Sequence, residues 1–331
     1  MFNPDTKERF LKTIKAESTR RMARYTLESI SKYEESADKD LIYFTHDEID
    51  RIVTSEFGGT TASRMSRVGY MRMYFSWAKS VGLNDNMGSL KGISMSIGAD
   101  AIIDKYVYSP KHLNEYLDTV FEPVEKETAD LIFRGLFWLA FCGVPYKYAE
   151  SLKKSKVDLK DCSVTVGGVY YPLFAESIDV FKKLISLDSF RFIHPLYAAK
   201  QTWRERSDSD FLFRGLKRRD NKSRSDGARH HTIASDATKK LKSAVKKGII
   251  SDSITYETVR KSGVFYKMYL REQSGIEVNF EVAAMSDVDD EKIKAMDKKQ
   301  LTNYVSRKKR LLSNDYRAWK DALRIYESSL R

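Results

Sequence analysis

Cysteine is nearly missing from this chain: Cys142 and Cys162 are the only two among 331 residues. Two thiols so far apart make neither a disulfide framework nor a zinc pattern, so a reducing, cytoplasmic compartment is expected. Histidine is scarce as well, with five residues, and the adjacent His230 and His231 have no thiol or carboxylate at ligand spacing. They read as surface residues, and neither a metal nor a cofactor is expected. Long apolar runs are lacking too. The greasiest stretch, Leu131 to Val144, is interrupted by Arg134 and falls short of the ~20 apolar residues a membrane helix needs. The opening MFNPDTKERF has no apolar signal core. A soluble intracellular protein without a membrane partner is the expectation, and no repeat or low-complexity tract argues otherwise.

What the chain does have is positive charge and enough apolar residues for a core. Hydrophobic residues make up 42% and aromatics 12%, which excludes a disordered chain. The length suits two ordinary domains. A formal net charge of +12 favours a polyanionic partner, nucleic acid above all.

Residues 1 to about 95 read as helices with short loops. Arg20, Arg21 and Arg24 lead into an amphipathic pattern of Tyr25, Leu27, Ile30 and Tyr33. Thr45 with Glu48 spells a capping box that opens a helix through Ile49 and Ile52. After Gly58-Gly59, Thr60 or Thr61 caps a further helix. Its apolar face holds Met65, Val68, Tyr74, Phe75 and Ala78, leaving Arg64, Arg67 and Arg72 for another surface. Residues 96–110 read as a linker, and 111–331 as a second domain.

In that second domain, Pro110 starts a helix through Leu117 and Val120, and a long buried helix is expected from about Val124 to Phe141. Alternation over DCSVTVGGVYYPLF, with Gly167-Gly168 at its centre, predicts a tight hairpin. A helix over Ile178 to Ile185 follows. The polar stretch from Arg214 carries Lys217, Arg218, Arg219, Lys222, Arg224 and Arg229, and is expected to be a loop that orders on a phosphate backbone. Thr232 to Lys247 reads as a basic amphipathic helix closed by Gly248. In ITYETVRKSGVFYKMYLREQSG, Thr255 starts a helix whose face collects Val259, Val264, Phe265, Met268 and Tyr269. Arg260 and Lys261 lie in its early turns, where a cation is better placed facing an anion than facing the helix dipole.

These segments together resemble the tyrosine recombinase (phage integrase) family over about residues 5 to 275. The likeness implies a mainly α fold with a small antiparallel β-sheet: a helical core-binding (SAM-like) domain, then a recombinase-type catalytic domain. The second catalytic box of that family opens a helix with His-x-x-Arg; here it reads Glu257, Thr258, Val259, Arg260. The first box resembles Cys142-Gly143-Val144 with Glu150 and Leu152, but its arginine falls on Pro145 or Lys147. The hairpin should carry a lysine, and none lies between Lys160 and Lys182. The third box, Leu-Gly-His, is absent because no histidine follows His231. Tyr304 and Tyr316 lie near basic residues, as the nucleophilic tyrosine would.

What the resemblance implies is therefore a double-stranded DNA-binding protein whose catalytic residues are lost, with Lys147, Glu257, Arg260 and Tyr304 as vestiges. Arg20, Arg21, Arg24, Arg64, Arg67, Arg72, Lys147, Arg218, Arg219, Arg224, Arg260 and Lys261 are the candidate DNA contacts. Integrase-like prophage repressors that maintain lysogeny are similar in kind. The expected setting is a bacterial cytoplasm, in association with the nucleoid, with a homodimer or a regulatory phage protein as further partners. A divergent active recombinase using Lys147, Arg260 and Tyr304 or Tyr316, and a recombination accessory protein, are the alternatives.

Overall fold

The computed structural model describes residues 1–57, 61–94, 99, 102–149, 151–193, 201–206, 209–214, 230–285 and 296–330. Helices dominate, as the resemblance implies, and there are two small antiparallel sheets among the described residues where it implies one. The chain divides into two compact units. The first joins Met1–Ile103 to Phe280–Arg331; the second is Asp104–Asn279. The C-terminal segment thus groups with the N-terminal helices, whereas the sequence suggests one domain over 111–331.

In the first unit, helices α1 (Pro4–Thr13), α2 (Glu17–Ala37), α3 (His46–Glu56) and α4 (Thr61–Ser80) surround one core. Pro4 at the first turn of α1 suits a position where no amide hydrogen bond is lost. The capping box of α3 is present: the Thr45 amide donates to Glu48 at 2.7 Å and the Glu48 amide donates to the Thr45 hydroxyl at 3.3 Å. Phe10, Leu27, Ile30, Ile49, Val53 and Phe75 fill the centre, and Phe10 and Tyr74 meet at a ring distance of 5.2 Å. Two polar contacts are buried within this core. Lys7 pairs with Glu34, both fully covered, and the Tyr74 hydroxyl donates to both oxygens of Asp40 at 3.0 Å. Burial, with Asp40 beside it, pushes the Tyr74 phenol far above its usual range.

Two later helices of the same unit are α11 (Phe280–Met285) and α12 (Lys298–Ser329). α12 packs on α11 and α4; its Tyr316, Trp319, Ala322 and Leu323 are buried at helical spacing, and Tyr316 meets the Phe280 ring of α11 at 5.7 Å. Tyr316 stacks on Trp319 at 6.2 Å, a structural use for that tyrosine.

The second unit is built around α6 (Asp130–Phe141), where every described side chain except Phe133 is buried. The long helix expected from Val124 is broken: Val124–Lys126 is a single 3₁₀ turn, Glu127 takes a left-handed φ of 54°, and α6 begins only at Asp130. Around α6 lie α5 (Pro110–Val120), the short α7 (Tyr146–Ala149), α8 (Ile178–Ser186), α9 (His230–Lys246) and α10 (Tyr256–Gln273). The predicted hairpin is present as β2 (Ser163–Val166) and β3 (Val169–Pro172), paired Val166 to Val169 across Gly167-Gly168, with β1 (Val157–Asp158) on its other edge. A second ribbon, β4 (Ser189–Ile193) with β5 (Gln201–Glu205), is not legible in the sequence pattern. Its base is held by buried Arg206, which donates to the carbonyls of Leu184, Leu187 and Leu212.

Candidate nucleic-acid interface

On the first unit, the six arginines singled out from sequence have different fates. Arg21 and Arg72 are exposed, on α2 and α4 respectively. Arg20 is half-buried and donates from Nε to the Ile14 carbonyl at 3.1 Å. Arg24 forks onto Glu8 of α1, with Nη2 to Oε2 at 2.9 Å, and that partner raises its pKa. Arg67 lies over the Phe57 ring at 5.1 Å. Arg64 is a correction. It is 2% exposed and donates to the Phe57 carbonyl from Nε at 3.1 Å and to the Thr54 carbonyl from Nη2 at 3.4 Å, so it is tied to the C-terminal end of α3 instead of facing a phosphate. Tyr25 is also displaced from its expected place: it is 56% exposed, one turn from Arg21, so an aromatic ring and a cation share a solvent face. Arg218, Arg219 and Arg224 lie outside the described residues, as does Glu150.

The second unit brings the first box, the hairpin and the second box together. Tyr256, the first residue of α10, donates its hydroxyl to the Val144 carbonyl at 2.9 Å and meets the Tyr146 ring at 5.1 Å, edge to face. Lys267, three turns further along α10, donates to the Cys142 carbonyl at 2.7 Å. The Tyr148 ring lies against Gly167 at the hairpin tip, where an added Cβ would sit 2.9 Å from its hydroxyl. Sequence reading misses Tyr148, Tyr256 and Lys267; the only signal for them is that they flank or follow the boxes at helical spacing.

The charged groups of this region are paired within the second unit. Arg260, buried in α10, is held in a two-pronged fork by Glu257: Nε to Oε2 at 2.9 Å and Nη2 to Oε1 at 2.7 Å. The guanidinium thus meets a carboxylate with two parallel donors. A phosphate charge brought within ~4 Å of that carboxylate is repelled by about 1 kcal/mol in water and about 4 kcal/mol near a protein surface. Lys147 is exposed, with its ammonium 4.9 Å from the Tyr148 ring centre. Lys261 is half-buried beside Arg260. Burial above all pushes the Tyr256 phenol far up, and its hydroxyl donates to the Val144 carbonyl. Burial likewise raises the Cys142 thiol to about 11 and lowers the Lys267 ammonium. Tyr304 sits on α12, in the first unit, while Arg260 belongs to the second. Among the described residues no cluster of three or more metal-ligating side chains is present, and no helix is long and apolar enough to cross a membrane.

No curated protein matches the chain. Among solved structures, the crystal structure of XerA recombinase is similar at 14% identity, covering 99% of this chain and 98% of that one, with a TM-score of 0.34. The integrase from mycobacterium phage Brujita is similar at 12% identity, covering 94% and 96%, with a TM-score of 0.31. Those scores are too low to carry residue correspondences. The family model described as the MrpR N-terminal core-binding domain matches residues 1–80, which span helices α1 to α4. The likeness suggested by the sequence therefore stands on that helical region, which matches the MrpR N-terminal core-binding domain.

Proposed function

We propose that this protein binds double-stranded DNA at specific sites without cutting it, and that it acts as a prophage repressor maintaining lysogeny. The observation that carries the reading is the core-binding-domain match over residues 1–80, in a chain of net charge +12. Grip depends on many separate phosphate contacts, so it survives the loss of any one of them. Cleavage depends on one cluster. A preorganised donor aimed at the transition-state oxygens is worth about 10²–10³ in rate. Here the first-box arginine, the second-box histidine, the hairpin lysine and the third-box histidine have no counterpart in the sequence, and Arg260 is engaged by Glu257. Occupying a site is what remains available to such a protein, which supports regulation over recombination. Cytoplasmic, nucleoid-associated placement and a second copy or phage regulator as partner belong to the same reading.

The test is to recover bound genomic fragments, then offer them nicked as suicide substrates. The expected result is a set of discrete retarded fragments and no covalent protein–DNA adduct. An adduct at Tyr304, or at any tyrosine, would establish the divergent recombinase instead. Titrating salt adds a residue-level check. Arg21→Ala and Arg72→Ala should each flatten the slope of log affinity against log salt by about one, with a loss of about 1–3 kcal/mol. Unchanged slopes would remove those two residues from the interface.

A further inference from the structure

The fork between Arg260 and Glu257 is the geometry a guanidinium offers a phosphodiester: two parallel N–H donors meeting two oxygens of one anion. Its two members are not equally covered. The Arg260 side chain is 8% exposed and that of Glu257 is 55% exposed, so the carboxylate is the partner on the solvent side. The turn that carries it is fixed. Thr255 caps α10, and its hydroxyl and amide exchange hydrogen bonds with Thr258 at 3.1 and 2.8 Å. Glu257 lies in the first turn, where the exposed amides of a helix start favour an anion. Arg260 itself is 7% exposed, and Val259 and Ser262 of the same helix are buried with it. Ser262 is itself held, taking the Val107 amide at 3.0 Å and donating to the Thr258 carbonyl at 2.8 Å. With Arg260 buried and its fork filled, a phosphate meeting those two donors has to take the place of the carboxylate.

We propose that Glu257 is a built-in phosphate surrogate, occupying the anion site of Arg260 and setting the DNA affinity of the second box low. Residue 257 is then the position that determines how strongly this region holds a backbone. The inference rests on the DNA-binding reading above and adds to it a residue that weakens the grip.

The measurement is fluorescence anisotropy of a short labelled mixed-sequence duplex across a salt series, for the full chain. Glu257→Gln keeps the shape and removes the charge; Glu257→Ala removes the side chain. Both should tighten binding about tenfold at low salt, the scale of one additional phosphate partner. Both should also steepen the salt slope by about one, since one more phosphate is neutralised. The double variant E257Q/R260Q should return to the wild-type slope, and R260Q alone should change little. Glu125→Gln, an exposed carboxylate elsewhere in the same unit, controls for net charge and should leave the slope in place. Circular dichroism confirms that each variant is folded. A wild-type slope in E257Q and E257A, or tightening that survives R260Q, overturns the inference and leaves DNA binding standing. Absence of duplex binding by every variant, wild type included, overturns both.

Discussion

Glu34→Ala should cost the first unit about 3–5 kcal/mol, a large share of the roughly 5–15 kcal/mol that holds an ordinary domain together. Glu34 serves two partners at once, both out of reach of water. One oxygen pairs with the Lys7 ammonium and the other accepts the Leu41 amide at 2.8 Å. Truncation leaves a buried ammonium with no counter-charge and a buried amide with no acceptor. Burial is the largest influence on the Glu34 carboxyl and pushes its pKa up, with Lys7 pulling the other way. That balance means the pair is retained for what its loss would leave behind more than for any net gain. The double variant K7M/E34Q should therefore recover most of the loss, because the side-chain amide oxygen introduced by E34Q can still accept from Leu41. Hydrogen exchange of α2 amides under rising urea isolates this unit from the other. A single-variant loss under about 1 kcal/mol, or a double variant as unstable as the singles combined, would refute the account. The consequence reaches the candidate interface, since α1 supplies Glu8 to Arg24 and α2 carries Arg20, Arg21 and Arg24.

What can be read from the sequence here is what local chemistry determines. The Thr45–Glu48 box, Pro110 at a helix start, Thr255 before α10 and the Gly167-Gly168 turn each involve neighbours in sequence, and each is present. The pair Lys7–Glu34 is invisible there because it joins residues on two different helices, and charged side chains ordinarily read as surface. Arg64 fails for the same reason. Its spacing puts it among solvent-facing arginines, and the carbonyl that draws it inward belongs to Phe57, at the end of a different helix. At the second box the spacing of Glu257 and Arg260 is in plain view. Their mutual fork is not, because one turn of helix puts both side chains on one face without fixing that they pair with each other. The grouping of α12 with the N-terminal helices is a non-local packing event, α12 lying on α11 and α4 with Tyr316 and Trp319 buried, and no local pattern encodes it.

Gly263→Ala is the sharpest test of how the two boxes are held together. A Cβ on Gly263 would lie 1.7 Å from the Phe141 carbonyl oxygen, a backbone atom that cannot turn aside. Alanine inside a helix is ordinarily worth about 1 kcal/mol over glycine, so the sign of the outcome separates propensity from packing. Packing should win, at a cost of about 3 kcal/mol or more, because α6 and α10 must move apart to admit the methyl group. The same strip of α10 makes the other contacts to the end of α6. Tyr256, Gly263 and Lys267 recur at helical spacing, and meet Val144, Phe141 and Cys142 in turn. Separating the helices would break the hydrogen bonds from Tyr256 and Lys267 and shift the turn that holds Glu257 and Arg260. Gly135, on α6 itself, provides the contrast. A Cβ there would meet the Leu184 Cδ1 atom at 2.2 Å and the Phe213 ring at 3.3 Å, and the nearer of these is the end of a side chain with other rotamers. Gly135→Ala should therefore cost no more than about 1 kcal/mol once the gain in helix propensity is counted. Urea unfolding of the two variants side by side decides the matter. Equal stability losses would mean that close approach of the helix backbones at Gly263 is not what joins the first box to the second.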